Sequence, residues 1–111
     1  MRRLLQLSAI ALLSAPLFAN ADPATERLWK AKCVSCHGAD GKGQTDQGTK
    51  MGINDYSKPD WQKAHPDAEL KKAILEGVKK EEGGKKQEMD AYPLAPEQVD
   101  GLVALIRSFG K

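Results

Sequence analysis

The chain has 111 residues, enough for one domain, and its 17 basic and 15 acidic side chains give a formal charge of +2. That excess comes from Arg2 and Arg3, and residues 22–111 carry equal numbers of basic and acidic groups, a balance that excludes a dedicated nucleic-acid or polyanion binder. The same stretch holds few aromatic side chains, namely Trp29, Tyr56, Trp61, Tyr92 and Phe109, a thin core for a small domain that has no staple.

In chain order, residues 1–21 read as a secretory signal peptide. Arg2 and Arg3 form a basic start, the run from Leu4 to Phe18 is mostly apolar, and Ala19-Asn20-Ala21 supplies small residues for cleavage after Ala21. Ser8, Ser14, Pro16 and Asn20 interrupt that run, which falls short of the roughly 20 apolar residues a spanning helix needs. The arginine pair directly follows Met1 without the flanking pattern of a twin-arginine signal, which points to general secretion. The expectation is a domain over residues 22–111, exported to the periplasm and without an integral membrane span after cleavage.

Within that domain there is no internal repeat, no low-complexity tract and no alternating strand pattern of useful length, so the fold is expected to be all-α. A first helix runs from about Pro23 to Val34, with Asp22 as its cap and Pro23 in the first turn. The segment from Gly38 to Lys58, with five glycines among polar residues, reads as loop. Leu70, Ala73 and Ile74 recur at helical spacing and Gly77 stands at a C-terminal cap, which predicts a helix over Asp67 to Glu76. Residues 79–95 read as loop again. Val99, Leu102, Val103, Ile106 and Phe109 make one apolar face of a last helix from near Pro96 to Gly110.

The chemistry lies in Cys33-Val34-Ser35-Cys36-His37, a haem-attachment signature. At the end of a helix this spacing lets two thiols reach the two vinyl groups of one porphyrin. The same turn delivers the His37 imidazole under the iron as an axial ligand. Two cysteines this close gain little as a structural disulfide, because the loop they would close is short. A zinc site would want four ligands, and beyond these three the chain offers only His65 and carboxylates. A thioredoxin-like dithiol would want a surrounding βαβ pattern, which is absent. The glycines from Gly38 to Gly43 follow no strand and are turn residues rather than a phosphate cradle.

From Leu28 to Phe109 the sequence resembles a class I c-type cytochrome of the small bacterial monohaem periplasmic type. The resemblance rests on Trp29 four residues before Cys33, on Cys33-Val34-Ser35-Cys36-His37-Gly38 and on Asp40-Gly41-Lys42-Gly43. It continues through Ala73-Ile74-Leu75-Glu76-Gly77 and the segment Leu102 to Phe109. It implies a small cytochrome c fold, helices packed around one covalently bound haem c, and a one-electron carrier rather than an enzyme. The partners it implies are a reductase and an oxidase; nothing in the sequence suggests a dimer seam, so a monomer is expected. It also implies a second axial ligand between the helix ending at Gly77 and the last helix, where Met89 is the methionine available. On chemistry alone Met51 is an equal thioether, and His65-Pro66-Asp67 reads as a helix entry carrying an exposed loop histidine.

Three positions depart from the family pattern. Asp90 rather than proline follows Met89, and no proline lies between His37 and Lys58 to lend a carbonyl to the imidazole, although some backbone carbonyl is expected to orient it. Leu105 stands where the terminal helix often has an aromatic, so Trp29 is expected to meet an aliphatic partner. The alternative function is a haem-based small-ligand-binding or peroxidase-like protein with a labile sixth ligand, to which Asp90 points. Lys71-Lys72, Lys79-Lys80 and Lys85-Lys86 are interleaved with glutamates and read as solvated faces, with only modest attraction for an acidic partner.

Overall fold

The computed structural model describes residues 22–111; the expected signal peptide lies outside the described residues. Helix α1 (Pro23–Lys32) starts where expected: the Asp22 carboxylate accepts a hydrogen bond from the Thr25 N–H at 2.9 Å, and Pro23 occupies the first turn, where its missing N–H has no helical partner to lose. Cys33 breaks the helix, and a single turn, α2 (Val34–His37), carries the rest of the motif to Gly38. Helices α3 (Asp46–Met51) and α4 (Pro59–Ala64) follow, then α5 (Asp67–Glu76), strands β1 (Val78–Glu82) and β2 (Lys85–Met89), and α6 (Pro96–Ser108).

The all-α expectation holds for most of the chain and fails over residues 78–89, which form an antiparallel two-stranded hairpin. Its sequence, Val-Lys-Lys-Glu-Glu paired with Lys-Lys-Gln-Glu-Met, has no apolar alternation to betray a strand. The hairpin is mostly exposed, so nothing demanded one. The turn was written nevertheless: Gly83 and Gly84 both take positive φ, the conformation a two-residue hairpin turn requires. The segment read as loop from Gly38 to Lys58 also contains α3, a six-residue helix capped by the Thr45 hydroxyl, which accepts from the Gly48 N–H at 2.9 Å.

The core is a three-helix junction. Trp29 from α1, Leu70 and Ile74 from α5, and Val99, Leu102, Val103 and Ile106 from α6 form one buried cluster. These are the residues whose helical periodicity predicted the elements, so the stripes meet as read. Trp29, however, does not meet an aliphatic partner in place of an aromatic. Phe109, one turn beyond Leu105, stacks its ring at a centroid distance of 5.3 Å from the indole. Leu105 packs at the margin of the cluster. Helices α1 and α6 approach so closely at Gly101 that a Cβ there would lie 2.5 Å from Thr25 Oγ1.

Outside this junction, side-chain hydrogen bonds take over from apolar packing. Gln62 donates from Nε2 to the carbonyls of Tyr56 (2.7 Å) and Ile106 (2.9 Å), while Arg107 donates to Gln62 Oε1 at 2.7 Å and to Asp67 Oδ1 at 2.8 Å. The network ties the aromatic segment around α4 to α5 and α6. Among the described residues, no helix is long and apolar enough to cross a membrane.

Placing a methyl at the α1–α6 crossing is therefore expected to be felt throughout the core. Gly101→Ala should destabilise the holoprotein by about 1–3 kcal/mol, seen by circular dichroism as a fall of roughly 5–15 °C in Tm. Adding Thr25→Ala should restore part of the loss.

Candidate functional site

Helices α1 to α5, both strands of the hairpin and the loop between α3 and α4 wall a cleft of about 440 Å³, lined among others by Cys33, Cys36, His37, Met51, Tyr56, Trp61, Leu70, Val78 and Met89. That is an ordinary size for a site that buries a large organic group. The helix break at Cys33 sets the positions of the motif. The Cys33 N–H still bonds the Trp29 carbonyl at 2.8 Å, and the His37 N–H bonds the Cys33 carbonyl at 2.9 Å. The two thiols thus stand three residues apart on one turn, both free and both facing the cleft. Burial pushes the Cys33 thiol up to about 11, with the Cys36 charge adding to the effect.

His37 closes the turn. Burial lowers its pKa to about 4, so at neutral pH the imidazole is uncharged and its lone pair is free for a metal. The ring is held by packing: Tyr56 stacks on it at 5.1 Å with 22° between planes, and Trp29 lies 5.7 Å away. Its Nδ1 is buried without a hydrogen-bond partner. No backbone carbonyl accepts from it, contrary to the expectation, and the carbonyls that follow the motif have other partners. Gly38 O accepts from Trp29 Nε1 at 3.1 Å, Gly41 O from the Tyr56 N–H at 2.9 Å, and His37 O from the Gly43 N–H at 2.8 Å.

Met89 is the last residue of β2, paired across the hairpin with Val78. Met51 and Met89 both line the cleft, but Met89 also borders, with Cys33, His37, Tyr56, Leu70 and Ala73, a small void of about 40 Å³ that reaches the core at Trp29, Ile74, Leu102 and Ile106. Gly77 makes the Met89 position possible. It takes φ +78°, and a Cβ on it would sit 2.5 Å from the Met89 carbonyl oxygen. The helix end read from the sequence as a cap is thus also a close backbone crossing.

Sequence reasoning missed the aromatic wall. Tyr56, Trp61 and His65 stack in series, at 4.4 Å for Tyr56–Trp61 and 4.6 Å for Trp61–His65. His65 lies in the loop between α4 and α5, as expected, but is half-buried rather than exposed. It lines the cleft and its Nδ1 lies 3.0 Å from Glu69 Oε1. Trp61 Nε1 is buried with no partner. Two aromatics five residues apart in a polar loop were the available signal, because little else in that segment can exclude water.

The donor set fits a haem. Two thiols on one turn, a neutral imidazole beside them, an apolar wall, and one buried unpartnered N–H for an acidic arm are what such a group needs. No group of three or more His, Cys, Asp or Glu side chains suited to a bare metal ion occurs among the described residues, which leaves the zinc alternative without support.

The comparisons with known proteins agree. The family model for cytochrome c matches residues 24–110. A solved structure, the KustC0563 c-type cytochrome, is 30% identical with a TM-score of 0.65, over 78% of this chain and 98% of that one. No curated protein matches.

Two outcomes are expected at the site. The exported protein should exceed its polypeptide mass by one haem, and Cys33→Ser with Cys36→Ser should abolish that increment in denaturing mass spectrometry. Gly77→Ala should disturb Met89 more than the core. Faster amide exchange is expected across residues 88–91 than across α6, together with a Tm loss from about 1–2 kcal/mol of left-handed strain.

Proposed function

The chain belongs to the cytochrome c family and is a small c-type cytochrome with covalently bound haem c; from that premise we propose that it is a one-electron carrier working outside the cytoplasm, with His37 and Met89 as the two axial ligands. The observation that carries the proposal is that Cys33, His37 and Met89 line one cleft and also share, with Tyr56, Leu70 and Ala73, a small void that Met51 does not border.

Bound there, the haem supplies reversible one-electron exchange between ferric and ferrous iron. The residues of the chain decide what else is permitted. His37 would hold the iron through a neutral nitrogen and Met89 through its thioether, which together would leave no site for oxygen or peroxide. The Met89 sulfur favours the ferrous state. Tyr56, Trp61, Leu70 and Ala73 work in the same direction by keeping water from a centre whose ferric form bears the extra charge. Burial raises the Tyr56 hydroxyl above its ordinary pKa, so it stays neutral and adds no anion to offset that charge.

The family's habit of working outside the cytoplasm supports a periplasmic location, as does the signal-like character of residues 1–21. The proposed partners are a reductase and an oxidase met one at a time by a monomer. Lysines and glutamates alternate over the exposed hairpin, and Lys80 pairs with Glu82 at 3.4 Å. Attraction for an acidic partner is therefore modest and weakened by salt.

Carbon monoxide tests the reading. Added to the reduced holoprotein it should leave the visible spectrum unchanged, whereas Met89→Ala should bind it. The wild-type midpoint potential should be well positive. A spectral shift in the wild type, or a potential deep in the negative range, would instead favour a ligand-binding or peroxidase-like haem protein.

A further inference from the structure

Gln87 is one of two buried polar side chains among the described residues, with 7% of its surface exposed, and it sits two residues before Met89 on the same face of β2. Its Nε2 donates to the carbonyls of Met51 and Gly52, both at 3.0 Å. Those are the last residue and the C-cap of α3, and terminal helix carbonyls have no partner inside the helix. Gln87 thus caps a helix from 35 residues away in sequence. The opposite end of α3 is fastened to the haem motif: the Thr45 hydroxyl accepts from the Gly48 N–H and donates to the Cys36 carbonyl at 2.7 Å.

A six-residue helix therefore bridges the turn that ends in His37 and the strand that ends in Met89. Lys85 adds a second strap, Nζ to Thr49 O at 3.1 Å, but from an exposed position. Apart from Gln87 and Lys85, no side chain of β2 is hydrogen-bonded to α3 among the described residues, and the pairing with β1 joins the strand to a mostly exposed one.

We infer that Gln87 is a positioning residue for Met89: its capping of α3 fixes the strand end that presents the thioether, and so limits how often the sixth position opens. The inference rests on Met89 being the axial ligand. Gln87 also borders the cleft, but in this role it acts through the α3 carbonyls. Releasing β2 should raise the open population while leaving the α1–α5–α6 junction, to which Gln87 makes no contribution, in place.

The test is the affinity of the ferric holoprotein for imidazole, which competes with the thioether and reads the open fraction. Gln87→Leu should increase it about tenfold, as expected for loss of two buried hydrogen bonds. The isosteric Gln87→Glu removes the donor without changing shape and should do the same, which keeps the test alive if the leucine variant does not accumulate. Lys85→Ala should change it little. The far-red charge-transfer band of methionine on ferric haem should be present in the wild type and lost in Met89→Ala. If that band is absent from the wild type or survives in Met89→Ala, the ligand assignment and this inference fall together. If the band behaves as expected but the Gln87 variants bind imidazole like the wild type, with or without a lower Tm, Gln87 is merely structural and only this inference falls.

Discussion

The His37 imidazole is held by packing, and most of the chain is arranged to provide it. Tyr56 stacks on it and Trp29 lies tilted beside it, with centroids at 5.1 and 5.7 Å. Each of those rings is itself fixed from further out. Trp29 is stacked on Phe109 and hydrogen-bonded to Gly38 O. Tyr56 lies against Trp61, and its carbonyl is gripped by Gln62, which Arg107 clamps in turn. A metal-bound histidine usually gains its orientation from a hydrogen bond to its second nitrogen. Here, with Nδ1 unpartnered, aromatic contact does that work, and it keeps the imidazole dry and neutral as well.

The same economy explains how so small a domain manages with so few aromatics. Trp29 and Phe109 serve the core, while Tyr56, Trp61 and Tyr92 face the cleft. The apolar surface they would otherwise leave wet becomes the wall of a site for a large planar group. A covalently attached haem is then both the functional centre and the missing part of the interior, in keeping with what domains of this size require.

How much of this was legible in the sequence depends on which signal each part left. The three core helices were, because Leu70, Ile74, Val99, Leu102, Val103 and Ile106 are buried and recur at helical spacing. Cys33, Cys36 and His37 were, because their spacing alone carries the chemistry. The hairpin was not, since its side chains are nearly all charged and exposed and only Gly83-Gly84 marked it. Helix α3 was hidden among glycines, its stability coming from Thr45 and Gln87 rather than from an apolar stripe. The pairing of Trp29 with Phe109 was misjudged by one turn because an aromatic was sought at Leu105. His65 was read as exposed because its stacking on Trp61 leaves no trace in sequence. Met89 could be placed late in the chain by resemblance, but Gly77 and Gln87, which govern its backbone, act through contacts across the fold.

The central claim is that Met89 and His37 close both faces of the haem, so that only electrons pass. Selective ¹³C-methyl labelling of methionine in the reduced holoprotein addresses it directly, because Met51 and Met89 are the only methionines of residues 22–111. One methyl signal should be displaced far upfield by the haem ring current, persist in Met51→Leu and vanish in Met89→Leu. An upfield signal that instead disappears with Met51→Leu, or no displaced signal at all, would contradict the account.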